Sequence, residues 1–300
     1  SGLMKIVSVS TNEPLTDSAG NNLNDRTISW NDANNPDSYE QFITIMNSAF
    51  GNVNRFSKPA KTGTIGGILT DRYDINTPNN SPLAHNFSVN VNGVNRNFDF
   101  VNMDFEDAGV FAEKHPDATN NFSIIHRNDG LGLLSKNTGF FMMFKQGTLN
   151  VQEFNFAQPI ENRQQDINVE NINEFDVYLQ EVDSLYNVLS KWTKVPNTVG
   201  QTLMYNTKAK NTPLLYAVQN LGTGGIKLQF ADGNFANVPV GKYRAFYRVS
   251  DNERFQLQPD DVRATVTTIP YLTQDGKQYN LTITTRLENA VTNSLPAESL

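Results

Sequence analysis

The chain contains no cysteine, which removes disulfides and thiolate metal sites at once. It has only three histidines, His85, His115 and His126. They lie far apart with no HxH or HxxxH spacing, so the expectation is no metal and no cofactor, with the rings packed or on the surface. A basic excess is also missing. Lys and Arg number 24 against 31 Asp and Glu, a formal charge of −7 with the acids dispersed. That argues against a nucleic-acid partner, whose phosphates call for clustered cations, and leaves no patch for an anionic membrane. No apolar run is long enough to span a bilayer, and the N-terminus has no apolar signal region. Ser1–Gly2 reads as a cut end, so a fragment of a longer protein is expected. No internal repeat of fixed period is visible.

Turn chemistry is abundant instead. Of 300 residues, 40 are Asn, 19 Gly and 13 Pro, while charged residues reach only 18%. This composition suits loops and short strands rather than long helices. One helix stands out, from Ser38 to Phe50. Asp37 can cap it with Glu40 closing a capping box, Tyr39, Phe42, Ile45, Met46 and Ala49 make one apolar stripe, and Gly51 suits a left-handed C-cap.

From Lys58 to Asn80 the Gly, Thr and Asn content reads as loop. Phe87, Val89 and Val91 then alternate up to Asn92–Gly93, and Val94 to Val101 returns. Asn-Gly between alternating runs is the strongest short hairpin signal, because both turn residues must accept positive φ. Asp104 to Lys114 is expected to form a short helix. Ser123–His126 and Phe140–Phe144 are apolar bursts of strand length around a turn-rich stretch at 128–132. Further on, Val177–Val182 pairs with Val188–Val195 around Asp183–Ser184, and Leu214–Val218 is another strand. Val262, Ala264 and Val266 form one apolar face. Across an Asp275–Gly276 turn, Leu281, Ile283 and Leu287 form its counterpart. The fold class expected is mainly β with a minor α component (α+β), built of antiparallel sheets and β-hairpin modules. A soft boundary at 158–166 divides residues 1–160 from a β-rich 161–300.

Catalytic signatures are weak. Asp104, Glu106 and Asp107 form a carboxylate cluster that glycosidase chemistry could use, but acids at an expected helix start more often serve the N-terminal dipole. Asp260–Asp261 after Pro259 reads as a turn or cap. The loop Gly222–Gly225 lacks the Lys-Ser/Thr ending of a phosphate loop and precedes a strand. Trp30 and Trp192 are either sugar platforms or core residues. No enzyme activity is expected.

The most distinctive stretch is Gly225–Phe235 followed by Val238–Arg248. It reads as strand, tight Asp232–Gly233 turn, a connection set by Pro239 and Gly241, and strand. Tyr243, Ala245 and Tyr247 share one face; Arg244, Phe246 and Arg248 share the other. The latter is either an interface, since Arg and aromatics are enriched at contact hot spots, or a solvated sheet face.

This order of side chains resembles the baseplate J-like family of contractile-tailed phages, and the chain as a whole resembles the wedge-ring proteins of T-even-like bacteriophages. Two further segments carry the likeness: Asn128–Leu134 with Asn137–Gly147, and Asp166–Val195. The third segment continues through Arg248–Asn252. The likeness covers roughly 120–300 and is loose before that. Ala231 departs from it, standing where the family usually has Gly. Family members continue beyond the Pro296–Leu300 motif, which implies a domain truncated at its C-terminal end. The resemblance implies a virion protein of the tail baseplate, assembled in the host cytoplasm. Its expected partners are other wedge proteins and itself, as a homodimer in the full-length protein and a ring around the hub. The role implied is to join wedges and transmit the conformational change at attachment. The rival expectation is a carbohydrate- or receptor-binding module of a tail or surface protein, which would explain the Asn and aromatic content.

Overall fold

The computed structural model describes residues 1–30, 35–51, 58–105, 110–116, 121–196, 198, 213–222, 224–234, 236–251, 253 and 255–292. Its first elements are β1 (Gly2–Thr11), β2 (Ile28–Ser29), α1 (Pro36–Ala49), β3 (Lys61–Ile65), β4 (Ile68–Asn76), β5 (Ala84–Val91) and β6 (Val94–Val101). Then come β7 (Met103–Phe105), β8 (Phe111–Glu113), β9 (Asn121–Asn128), β10 (Gly139–Gln146), β11 (Thr148–Phe156), β12 (Gln164–Ile167), β13 (Ile172–Val182) and β14 (Val188–Lys194). The rest are β15 (Leu215–Asn220), β16 (Ile226–Phe230), β17 (Gly241–Val249), β18 (Gln256–Leu257), β19 (Thr265–Leu272), β20 (Gln278–Arg286) and β21 (Val291–Thr292). Among the described residues strand dominates, with one helix, so the fold is mainly β with a minor α component.

The chain forms two compact units, and they do not follow the expected split at residue 160. One comprises Ser1–Lys114, Thr119–Gln146 and Arg254–Leu300; the other His115–Ala118 and Gly147–Glu253. The reason is strand pairing. β20 pairs with β1 and β19 with β20, so the C-terminal strands complete the first sheet.

In the first unit the sheet runs β19-β20-β1-β10-β9-β4-β3, with β6 on the far end of β10 and β5 on β6. β10 explains why a continuous apolar run makes a strand here: it is covered on both faces. Phe140, Met142 and Phe144 enter the main core, while Phe141 and Met143 join Val101, Met103 and Ile125 in a second cluster. Fully burying each such side chain contributes roughly 1.5–3 kcal/mol. α1 sends Phe42, Ile45 and Met46 into the main core, and the Phe42 ring packs edge-on to Trp30 at 5.3 Å. The helix starts two residues earlier than expected. Asn35 is its N-cap and Pro36 lies in the first turn, so Asp37 sits inside the helix and there is no side-chain cap. Gly51 does adopt positive φ (71°) past its end.

Several expectations fail locally. The stretch from Lys58 to Asn80 contains the β3–β4 hairpin, whose turn is Gly66–Gly67 with φ of 58° and 79°. Asp104 and Lys114 do not bound a helix: β7 and β8 pair antiparallel, and 106–109 lie outside the described residues. In β19 the parity is reversed. Val266 is exposed, and Thr267, Ile269 and Tyr271 are buried.

The second unit is one curled sheet of order β11-β17-β13-β14-β15-β16-β12. β14 and β15 pair parallel, an exception to the antiparallel expectation. Three strands separate β16 from β17, so the Pro239–Gly241 segment crosses between them rather than closing a hairpin. Curling brings Phe156 of β11 within 5.5 Å of Phe230 of β16, although four strands lie between. Trp192, Tyr243, Leu179 and Leu228 fill the same interior.

Candidate interaction surfaces

The turn residues adopt the geometry their chemistry allows. Asn92 and Gly93 (φ 52° and 84°) close β5 onto β6, with Val91 opposite Val94. Gly233 has φ 85°, and the Asp232 carboxylate accepts from the Asn234 amide at 3.0 Å. Ala231 is buried and keeps negative φ, so Gly is not required there. Pro239 is buried, and Gly241 opens β17 at φ 96°. Gly276 (φ 77°) lies between β19 and β20, where the Asp275 carboxylate, held down at about 2 chiefly by Lys277 and Thr273, bonds both.

The Arg244, Phe246 and Arg248 row is corrected in part. Arg248 has no exposed surface, and its Nε stands 3.7 Å from Asp176 Oδ2; Phe246 is buried too. Only Arg244 reaches solvent. Its guanidinium donates to the Tyr186 carbonyl at 2.8 Å and stacks over the Tyr186 ring at 5.6 Å, with Lys242 at 5.2 Å.

Two loops and one strand bulge share a design in which side chains wire the backbone and apolar groups face solvent. In the β9–β10 loop, Asp129 accepts from Ser135 Oγ (2.5 Å), Thr138 Oγ1 (2.7 Å) and the Leu131 amide (3.0 Å). These bonds, led by Ser135, hold its carboxyl down at about 2. From below, Lys5, buried and with its pKa lowered by burial, donates to the Ser135 carbonyl at 2.7 Å. The loop presents Leu131, 80% exposed, and Leu134, 67% exposed. In the β13–β14 loop, Asp183 accepts from the Leu185 and Asn187 amides, both at 2.8 Å, and Leu185 is 79% exposed. At a bulge in β13, Lys194 donates to the Glu174 and Phe175 carbonyls (2.9 and 2.8 Å), and Phe175 is 74% exposed. Glycine-flanked Leu131–Leu134 was a readable signal; the exposure of Phe175 was not, because a bulge shifts strand parity.

The catalytic candidates do not assemble. Asp104 pairs with Arg72 (2.6 Å) and Lys61 (3.3 Å); Glu106 and Asp107 lie outside the described residues. Asp261 accepts from the Gln258 amide at 2.7 Å, a turn bond. Thr223 in the Gly222–Gly225 loop lies outside the described residues. Among the described residues, no group of three His, Cys, Asp or Glu could hold a metal ion. Trp30 and Trp192 are both buried.

A family model described as "Domain of unknown function (DUF8360)" matches residues 2–290, and the chain belongs to that family. No curated protein and no solved structure matches it.

Proposed function

We propose that this chain is a structural protein of a contractile-tail baseplate wedge, acting through protein–protein contacts rather than catalysis. The observation that carries the reading is that two wired loops hold Leu131, Leu134 and Leu185 in solvent and a wired bulge of β13 does the same for Phe175. Exposed apolar side chains held on ordered backbone suit contact sites, and pre-organisation lowers the ordering cost of binding. The segments that resemble wedge-ring proteins, 128–147, 166–195 and 225–252, contain these loops and Arg244. The role is to join neighbouring wedges around the hub, with other wedge proteins and copies of itself as partners. The carbohydrate-binding reading needs an exposed aromatic cluster; both indoles are buried, and it would have to rest on the exposed rings of Phe175 and Tyr186.

Immuno-electron microscopy of the source particles tests this. Antibody label at the distal plate, or on wedges after plates dissociate, is expected. Label on fibres or spikes, with binding to a glycan array, would replace the wedge reading with the receptor-binding one.

A further inference from the structure

In the first unit, Asn102 ties the end of β8 to the start of β9. Its carbonyl accepts from the Lys114 amide at 2.9 Å. Its side-chain amide donates to the Asn121 carbonyl at 2.8 Å and accepts from the Ser123 amide at 3.0 Å. Lys114 and Asn121 are thereby held side by side, and Lys114 Nζ donates to Asn121 Oδ1 at 3.2 Å. Asp74 of β4, opposite Ser123 in the β4–β9 ladder, completes the group, with its Oδ1 3.6 Å from Nζ. That carboxylate is itself fixed, by the Ser123 hydroxyl at 2.8 Å and by Arg72 Nε at 3.1 Å. The Lys114 and Asp74 side chains are 18% and 23% exposed, so water has little access to the contact.

An amine, a carboxamide and a carboxylate at contact distance, each fixed by further bonds, are the parts of an acyl transfer. We infer that the folded chain joins Lys114 to Asn121 through an isopeptide bond, with Asp74 as the proton carrier. The Nζ lone pair forms a bond to Asn121 Cγ. Asp74 takes one proton from that nitrogen and passes it to Nδ2 of Asn121, whose bond to Cγ breaks as ammonia leaves. No group is oxidised or reduced, and no co-reactant is needed. Attack requires the neutral amine. Burial lowers the Lys114 pKa, with Asp74 opposing and Arg72 assisting. The product is a covalent tie between β8 and β9 in a chain that has no cysteine to supply one. The inference stands on this side-chain geometry and is independent of the baseplate reading.

The intact mass of the whole chain, measured after denaturation, tests this. The expected value is the sequence mass less one ammonia. Trypsin should then fail to cut after Lys114, giving one peptide of residues 97–127 that lacks backbone fragments from within 114–121. Asn121→Ala and Lys114→Arg should each restore the full mass. Asp74→Asn, with folding checked by circular dichroism, should slow or stop the loss. The full sequence mass in the unaltered chain overturns the inference, because Lys114 then only donates a hydrogen bond. So does an ammonia loss that leaves Lys114 open to trypsin, as a succinimide at Asn92–Gly93 would, or one that persists in Asn121→Ala.

Discussion

Arg248 and Asp176 form an ion pair inside the second unit, Nε to Oδ2 at 3.7 Å, with no exposed surface on the arginine. Asn173 steadies the carboxylate through its amide at 3.1 Å. Removing one partner leaves the other charge buried, so Arg248→Ala is expected to cost about 3–5 kcal/mol. Arg248→Met combined with Asp176→Leu is expected to recover much of it. Urea unfolding midpoints check both; a loss under about 1 kcal/mol for Arg248→Ala would show that the charge is solvated.

Gly233 tests the most distinctive turn. An added Cβ there lies 3.1 Å from Val238 Cγ2, at a φ of 85° that a β-branched residue tolerates badly. Gly233→Val should therefore destabilise the fold by roughly 1–3 kcal/mol. An unchanged melting midpoint would contradict the turn. Gly147→Ala should be worse, because its Cβ would overlap the Val249 carbonyl oxygen.

Acid should weaken the first unit through two histidines. Burial pushes His85 and His126 down to about 4, against weaker opposing pulls from Asp99 and Asp71. Their folded pKa lies below the unfolded 6.5, so the unfolded chain binds more protons as pH falls from 6.5 to 4. Stability is lost across that window, by about 3 kcal/mol per histidine. The double variant His85→Phe, His126→Phe should flatten the unfolding midpoint between pH 7 and 4.5. An equal slope in both proteins would show that other groups carry the acid sensitivity.

Much of this architecture was readable locally, and the misreadings have physical causes. The Asn92–Gly93 and Asp275–Gly276 hairpins were legible because positive φ restricts the residues allowed. β1 was not, because it is buried on both faces and shifts register between Ile6 and Ser8, which erases period two. β3 and β4 hid in Gly- and Thr-rich sequence although Gly66–Gly67 is itself a turn signal. The return of β19 and β20 to the first sheet is a long-range pairing that no local pattern encodes. For the candidate surfaces, strand parity grouped Arg244, Phe246 and Arg248 correctly. Their exposure depended on what covers the face, which sequence spacing does not report.

The leucine loop should depend on the Asp129 charge. Its folded pKa is depressed to about 2, so its contribution is present above the ordinary carboxylate range and lost as pH falls from about 4 to about 2. Asp129→Ala should speed exchange at the Leu131 amide and open 130–136 to protease at neutral pH. Unchanged exchange would mean that Lys5 and Trp30, whose indole reaches the Leu133 carbonyl at 3.4 Å, hold the loop alone.

Cross-linking mass spectrometry of intact source particles with a lysine-reactive reagent bears most directly on whether these loops meet partners. Lys136 follows the leucine loop, Lys194 stands 5.8 Å from the Phe175 ring, and Lys242 packs on Tyr186 beside Leu185. Cross-links from these lysines to other tail proteins are expected, with Leu131→Ser and Leu134→Ser variants losing those of Lys136. Links confined to this chain, or the chain's absence from purified tails, would contradict an assembly role.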